Sequence, residues 1–364
     1  MTSRRAFMIG MMATGLCPVP SWAEAGNPNY LAAARRPDGG FELAGLDAAG
    51  NRVFRVRLPD RGHAAAAHPV RPEAVAFARR PGTFAIVLDC RTGREIARLE
   101  TPGGRHFYGH GSFSTDGRVL FTTENDFEAG QGVISLWDVT KGYGRIGEYP
   151  SAGVGPHDIC VMPEGDVMVV ANGGIETHPD MGRAKLNLPL MRPNLTYLSL
   201  DGVVLDQLEL APELHRNSIR HLAVRADGLV GFALQWQGDG GESPPVLGVH
   251  HRLGGLAPRL FEAPMPEQRR TRGYAGSIAF SEGGDLVGFT SPRGGILHVF
   301  NVTSGALAGA HRIHDVCGLS GAPNGFRYTS GTGDIGRAGA GAQTLTVVAT
   351  HDCQWDNHLV PVPI

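Results

Sequence analysis

Imidazole is the side chain whose placement in this chain most suggests chemistry. His110, His157 and His221 each stand directly ahead of a short β-rich run, with His68 in a looser equivalent place and His314 ahead of a further copy. Neutral imidazole ligates zinc, copper, iron and nickel, and strands of separate sheets can aim several rings at one point. Polar, glycine-rich segments nearby carry His106, Glu124, Glu176 and His178. The predicted metal ligands are therefore His110, His157 and His221, with Glu124, Glu176, His178 or His106 contributing from loops. A structural role competes with this reading, because histidines recurring at equivalent positions also suit hydrogen bonds that fix the spacing of repeated units.

Other chemistries find less support. Gly-x-Ser-x-Gly, Cys-x-x-Cys and Cys-x-x-Cys-His are absent from the sequence, which leaves a serine hydrolase, a zinc ribbon and covalent haem without a motif. Gly331–Gly336 matches a dinucleotide fingerprint in spelling, but no helix is expected after it to cradle a phosphate. His106 and His110 have helical spacing, yet Gly109 and Gly111 make that stretch a loop. His250 and His251 are neighbours on an expected strand, where alternation sends them to opposite faces.

The positioning elements are read from repetition. Gly111–Thr123, Asp158–Val170, Leu222–Phe232 and Ser277–Phe289 each read strand, tight turn, strand. Third strands follow at Val133–Val139, Leu195–Leu200 and Leu297–Val302, and a fourth at Val203–Leu210. Four strands in each unit of roughly 40 to 60 residues is the pattern of a propeller blade. Unit boundaries near 30–68, 69–110, 111–157, 158–221, 222–275, 276–314 and 315–364 predict an all-β, seven-bladed β-propeller of four-stranded antiparallel blades. In such a meander, the start of the innermost strand and the loop between the second and third strands share one face. The histidines should then surround one mouth of the central channel.

Composition agrees. Among 364 residues, 52 Gly and 25 Pro interrupt the chain too often for long helices. Basic and acidic residues number 33 and 35 and are interspersed, so there is no cationic patch for nucleic acid. Arg4-Arg5 before an apolar stretch from Ile9 to Val19, then Ala23-Glu24-Ala25, predicts a twin-arginine export signal over 1–25, a single propeller domain over 26–364, and a periplasmic location. That stretch is about half the ~20 residues needed to span a bilayer, so no stable membrane anchor is expected. The mature cysteines Cys90, Cys160, Cys317 and Cys353 allow three disulfide pairings, or none.

The segments His106–Gly111, Thr123–Asp126, Gly155–Asp158, Ala171–Pro179, Ser218–Leu222 and Thr290–Gly295 resemble the DUF1513 family over nearly the whole mature chain. The resemblance implies a bacterial periplasmic protein with a propeller related to YVTN and quinoprotein amine dehydrogenase β-chain folds. Family members are often encoded beside imelysin-type and other iron-uptake proteins, which implies iron or an iron complex as ligand and such proteins as partners. No catalytic residue transfers, because the family has no established activity. Two other readings remain: a protein-interaction scaffold presenting Tyr108, Trp236 and Arg293, and an oxidoreductase or isomerase using the same pocket.

Overall fold

A computed structural model describes residues 20–79, 82–182, 184–254, 257–341 and 344–363. Their strands form seven antiparallel sheets arranged as the blades of a propeller. Blade 1 comprises Tyr30–Arg35, Phe41–Leu46 and Arg52–Leu58; blade 2 runs from Gly62 to Leu99 and blade 3 from Arg105 to Pro150. Blades 4 to 7 span Pro156–Glu209, Asn217–Leu260, Ser277–Arg312 and Val316–Thr350.

Ring closure uses the two ends of the chain. Gln354–Trp355 and Val360–Pro361 pair antiparallel with Tyr30–Arg35, matching Ala34 with Trp355 and Tyr30 with Pro361. The C-terminal segment thus supplies the innermost strand of blade 1, and closure leaves only short, protected edges.

Sequence pattern follows radial position. Second strands are sandwiched between neighbouring blades and are buried over most of their length; Val167–Asn172 is buried throughout. Outer strands are largely exposed, as in Arg94–Leu99, where only Leu99 is buried. Phe77, Leu120 and Trp137 fill the space between blades 2 and 3, while Tyr197, Phe232 and Leu247 do so between blades 4 and 5. Burying each such side chain contributes about 1.5–3 kcal/mol.

Blades 2 to 5 begin earlier in the chain than expected, whereas blades 1, 6 and 7 begin within one residue of the expected boundary. Innermost strands begin at Gly62, Arg105, Pro156 and Asn217, so His110, His157 and His221 lie within strands rather than ahead of them. The reason is a local irregularity that hides the strand's first half from a periodicity argument. Register with the second strand slips between Gly62 and Ala65, Phe107 and Gly111, Pro156 and Asp158, and Ile219 and His221. Such bulges turn side chains that simple alternation would place elsewhere.

Residues 1–19 of the expected leader lie outside the described residues. Its last part is described: Trp22–Ala25 forms one 3₁₀ turn, closed by Gly26 in the left-handed region at φ 86°. Trp22 and Ala25 are buried with Leu43, Val56 and Leu88, and the Trp22 Nε1–H donates to His68 O at 2.9 Å. Among the described residues no cysteine is disulfide-bonded; Cys90, Cys317 and Cys353 are buried thiols and Cys160 is partly buried.

Candidate metal centre in the channel

The innermost strands of blades 2 to 5 carry their bulges in their first half, toward the end of the channel here called the top. Among the described residues, five imidazoles meet at this level: His63 from blade 2, His110 from blade 3, His157 from blade 4, His221 from blade 5 and His358 from the closing segment of blade 1. Ring centroids lie 5.0 Å apart for His63 and His110, 5.0 Å for His110 and His157, and 4.8 Å for His157 and His221. His358 is 4.8 Å from His221 and 4.6 Å from His63. Close approach of blade 3 depends on Gly109, at φ 105°, where a Cβ would stand 2.8 Å from His63 Cδ2.

Two donor sets result. One nitrogen each from His63, His110 and His358 lie within 4.8 Å of one another, and so do one each from His110, His157 and His221. An ion ~2.1 Å from each nitrogen in tetrahedral geometry needs donors ~3.4 Å apart, so modest ring rotations would close either set. His110 belongs to both. Its Nδ1 lies 3.1 Å from Asp158 Oδ1, and Asp158 is itself fixed by the N–H groups of Ile159 and Leu222 at 2.8 and 3.0 Å. With Nδ1 held by a carboxylate, Nε2 is the nitrogen left to ligate.

Several ring nitrogens lack a hydrogen-bond partner. His63 Nδ1, His110 Nε2, His221 Nδ1 and His358 Nε2 are buried with none among the described residues. A buried polar atom without a partner costs roughly 1–3 kcal/mol. Burial also lowers the pKa of His63 to about 4, helped by His110 and Arg79 and opposed by Asp356. It lowers His157, His221 and His358 well below the ordinary value, with Arg220, His110 and His63 respectively adding most among the neighbouring charges. These four rings are neutral at pH 7, the state in which imidazole offers a lone pair to a metal.

Guanidinium groups frame the cluster. Arg220 Nη1 donates to His157 Nδ1 at 3.3 Å. Asp356 accepts from Arg61 Nε at 2.7 Å and from Arg79, and stands 3.9 Å from His63 Nδ1. Burial alone would raise the Asp356 carboxyl, but His63, Arg79 and Arg61 outweigh it and hold it far below the usual range.

The imidazoles divide the channel. Above them is a cavity of about 190 Å³ lined by His63, His157, His221, Arg79, Arg220 and Tyr274, among others. Below is a larger cavity of about 770 Å³ that His110, Asp158 and His358 border, extending to the tight turns of the opposite face.

The expected loop ligands are placed elsewhere. Glu124 belongs to the strand Val119–Asp126, is fully buried, and pairs with Arg145 through contacts of 3.0 and 3.3 Å. His106 lines the upper cavity, but its Nδ1–H donates to Phe107 O at 2.9 Å and its Nε2 accepts from Asn125 at 3.2 Å. His178 packs edge-on against Phe127 and accepts from the Asp180 N–H. Glu176 lies beside Gly130, in the turn between the second and third strands of blade 3, and does not line the upper cavity. His68 is at the other end of its strand, where Nδ1 accepts from Val70 and Arg71 N–H and Nε2 meets Gly117 O at 3.1 Å. His314 is exposed.

His63, His358, Asp158, Asp356 and Arg220 have no role in the sequence reading. Two signals point to the missed imidazoles: His63, His110 and His157 are evenly spaced, and Asn357-His358-Leu359 echoes Arg220-His221-Leu222.

A family model for a protein of unknown function, DUF1513, matches residues 56–362. The chain belongs to the DUF1513 family. No curated protein matches this DUF1513 member. Among solved structures it is similar to the hydrazine synthase of Kuenenia stuttgartiensis, with TM-score 0.58 and 13% identity over 89% of this chain and 96% of that one. It is also similar to a chain of a mitotic checkpoint complex, with TM-score 0.56 and 12% identity over 80% and 81% of the two chains. Likeness at that identity concerns the propeller fold alone.

Proposed function

We propose that this DUF1513 protein binds a first-row transition-metal ion with the imidazoles at the top of its channel, in the periplasm. The observation that carries this reading is the convergence of five imidazoles, His157 half-buried and the other four buried, those four each holding a ring nitrogen without a hydrogen-bond partner among the described residues. A structural histidine ring would be expected to satisfy its nitrogens with backbone or neighbouring side chains, as His68 does. Neutral nitrogen donors suit Fe(II), Cu, Zn and Ni better than harder ions that prefer oxygen ligands. Iron, the metal of the expected uptake setting, fits this set in its ferrous state. Binding rather than turnover is the proposed role: the rings capture the ion, and imelysin-type proteins are the proposed partners in handling it.

Elemental analysis and a visible absorption spectrum of protein exported to the periplasm and purified without chelators test the reading. A stoichiometric metal, lost from a variant with His110, His157 and His221 all changed to alanine, is expected. Wild-type protein that remains metal-free after equilibration with Fe(II), Cu(II), Zn(II) and Ni(II) overturns it.

A further inference from the structure

The charges around the imidazoles are unusual for a site that takes a bare cation. The carboxylates touching the cluster are Asp158 and Asp356, against the three guanidiniums of Arg61, Arg79 and Arg220. The imidazoles add no negative charge, so a divalent ion would leave the centre strongly positive in a buried setting. Coulomb repulsion there is screened far less than at the surface. Arg220 is placed most directly against the ion, since its donated proton occupies the lone pair of His157 Nδ1. An ion taking that lone pair has to displace the guanidinium contact.

The upper cavity supplies what would balance the charge. Arg79 and Arg220 line it together with His63, His157 and His221, and Tyr274 closes one side. Its rim is also cationic: Arg293 lies over the Tyr274 ring at 4.4 Å, and Lys185 donates to Gln237, whose amide bonds the backbone of the cavity-lining Gln235. Clustered positive charge at the mouth of a cleft concentrates anions. The volume of about 190 Å³ admits a molecule of only a few non-hydrogen atoms.

We infer that the metal is held together with a small anion, which enters the upper cavity, ligates the ion from the top and is clamped by Arg220. The inference rests on the metal-binding reading and adds the class of its second ligand, an anion with a lone-pair donor atom. Guanidinium suits the task because it presents several N–H donors in a fixed fork and stays charged.

Azide serves as the probe, added to the Cu(II)-loaded full chain and followed by the ligand-to-copper charge-transfer band, with neutral imidazole as the comparison ligand. Saturable azide binding is expected, tighter than that of imidazole, and weakened about tenfold or more in Arg220→Gln, the scale of losing a charged hydrogen bond. Arg220→Lys, which retains the charge and loses the fork, is expected to fall between the two and reads the effect if the glutamine variant misfolds by circular dichroism. Copper that binds without an azide response, equal azide affinity in wild type and the Arg220 variants, or preference for neutral imidazole overturns the anion and leaves the metal site standing. Failure to bind copper or any other of the metals overturns both.

Discussion

The Asp158 carboxylate lies 3.1 Å from Nδ1 of His110, on the neighbouring blade, and leaves His110 Nε2 buried without a partner among the described residues. A carboxylate in that position fixes the orientation and tautomer of a ligating imidazole and raises its basicity. Asp158→Asn is expected to weaken metal binding by about 10- to 100-fold, read by competition with a chromophoric chelator. Unchanged affinity would show that Asp158 serves blade packing alone.

His110 is common to both donor sets, whereas His63 and His157 each belong to one. His110→Ala should therefore abolish stoichiometric metal in equilibrium dialysis. His63→Ala and His157→Ala should each leave one set and lower the affinity by at least about tenfold, the smaller end of losses seen when ligand support is removed. His178→Ala, whose ring packs on Phe127 at the surface, should leave the metal content unaltered.

Glu124 and Arg145 illustrate a carboxylate committed to the fold. Glu124 is fully buried and Arg145 covers it while stacking 5.4 Å above Trp137. Glu124→Gln removes the buried carboxylate that the half-buried Arg145 covers, while Glu148 at 2.6 Å still balances the guanidinium, and should cost about 1.5–3 kcal/mol in urea unfolding. Metal content of the folded fraction should match wild type, because the pair stands apart from the imidazoles.

His68 links stability to pH in the metal-free protein. Its pKa is lowered to about 4 by burial and by Arg71, against the opposing pull of Gly117 O, and Nδ1 must stay unprotonated to accept from two backbone N–H groups. A folded-state pKa below the unfolded ~6.5 means the unfolded chain binds the proton first. The contribution of His68 is therefore complete above pH ~6.5 and is lost as the pH falls toward 4. His68→Gln should flatten that part of the stability profile in denaturant titrations; an unchanged slope would assign it to other groups.

Trp22 sits inside the segment expected to be removed on export, yet its indole is buried and bonded to His68 O. Trp22→Ala should destabilise the chain by about 3–5 kcal/mol, as truncation of a buried aromatic does. A chain starting at Gly26 should show the same loss against one starting at Pro20. Equal melting of the two would mean that the turn adds nothing to the folded ring.

The propeller was legible because its cause is local and repeated. Strand, tight turn and strand recur with apolar alternation in Gly111–Thr123, Asp158–Val170 and Ser277–Phe289, and each unit must bury its faces against similar neighbours. The grouping of His110, His157 and His221 at one mouth followed from the same repetition. Other parts of the site left no such trace. Glu124 looks like a polar loop residue and proves to be a strand residue paired with Arg145, because the second strand of blade 3 runs on to Asp126.

By itself the sequence determined the repeated unit, the number of units and the three histidines that share one place in it, since periodicity and turn chemistry act within short stretches of chain. Only the tertiary structure decided that His63 and His358 join them. His358 reaches the cluster because the C-terminal segment pairs with Tyr30–Arg35 from the opposite end of the chain. The bulges that turn the rings inward lie between two strands of one blade, but the carboxylate behind His110 and the guanidinium against His157 are likewise relations between separate blades. Closure of the ring creates them, so no window of neighbouring residues contains them.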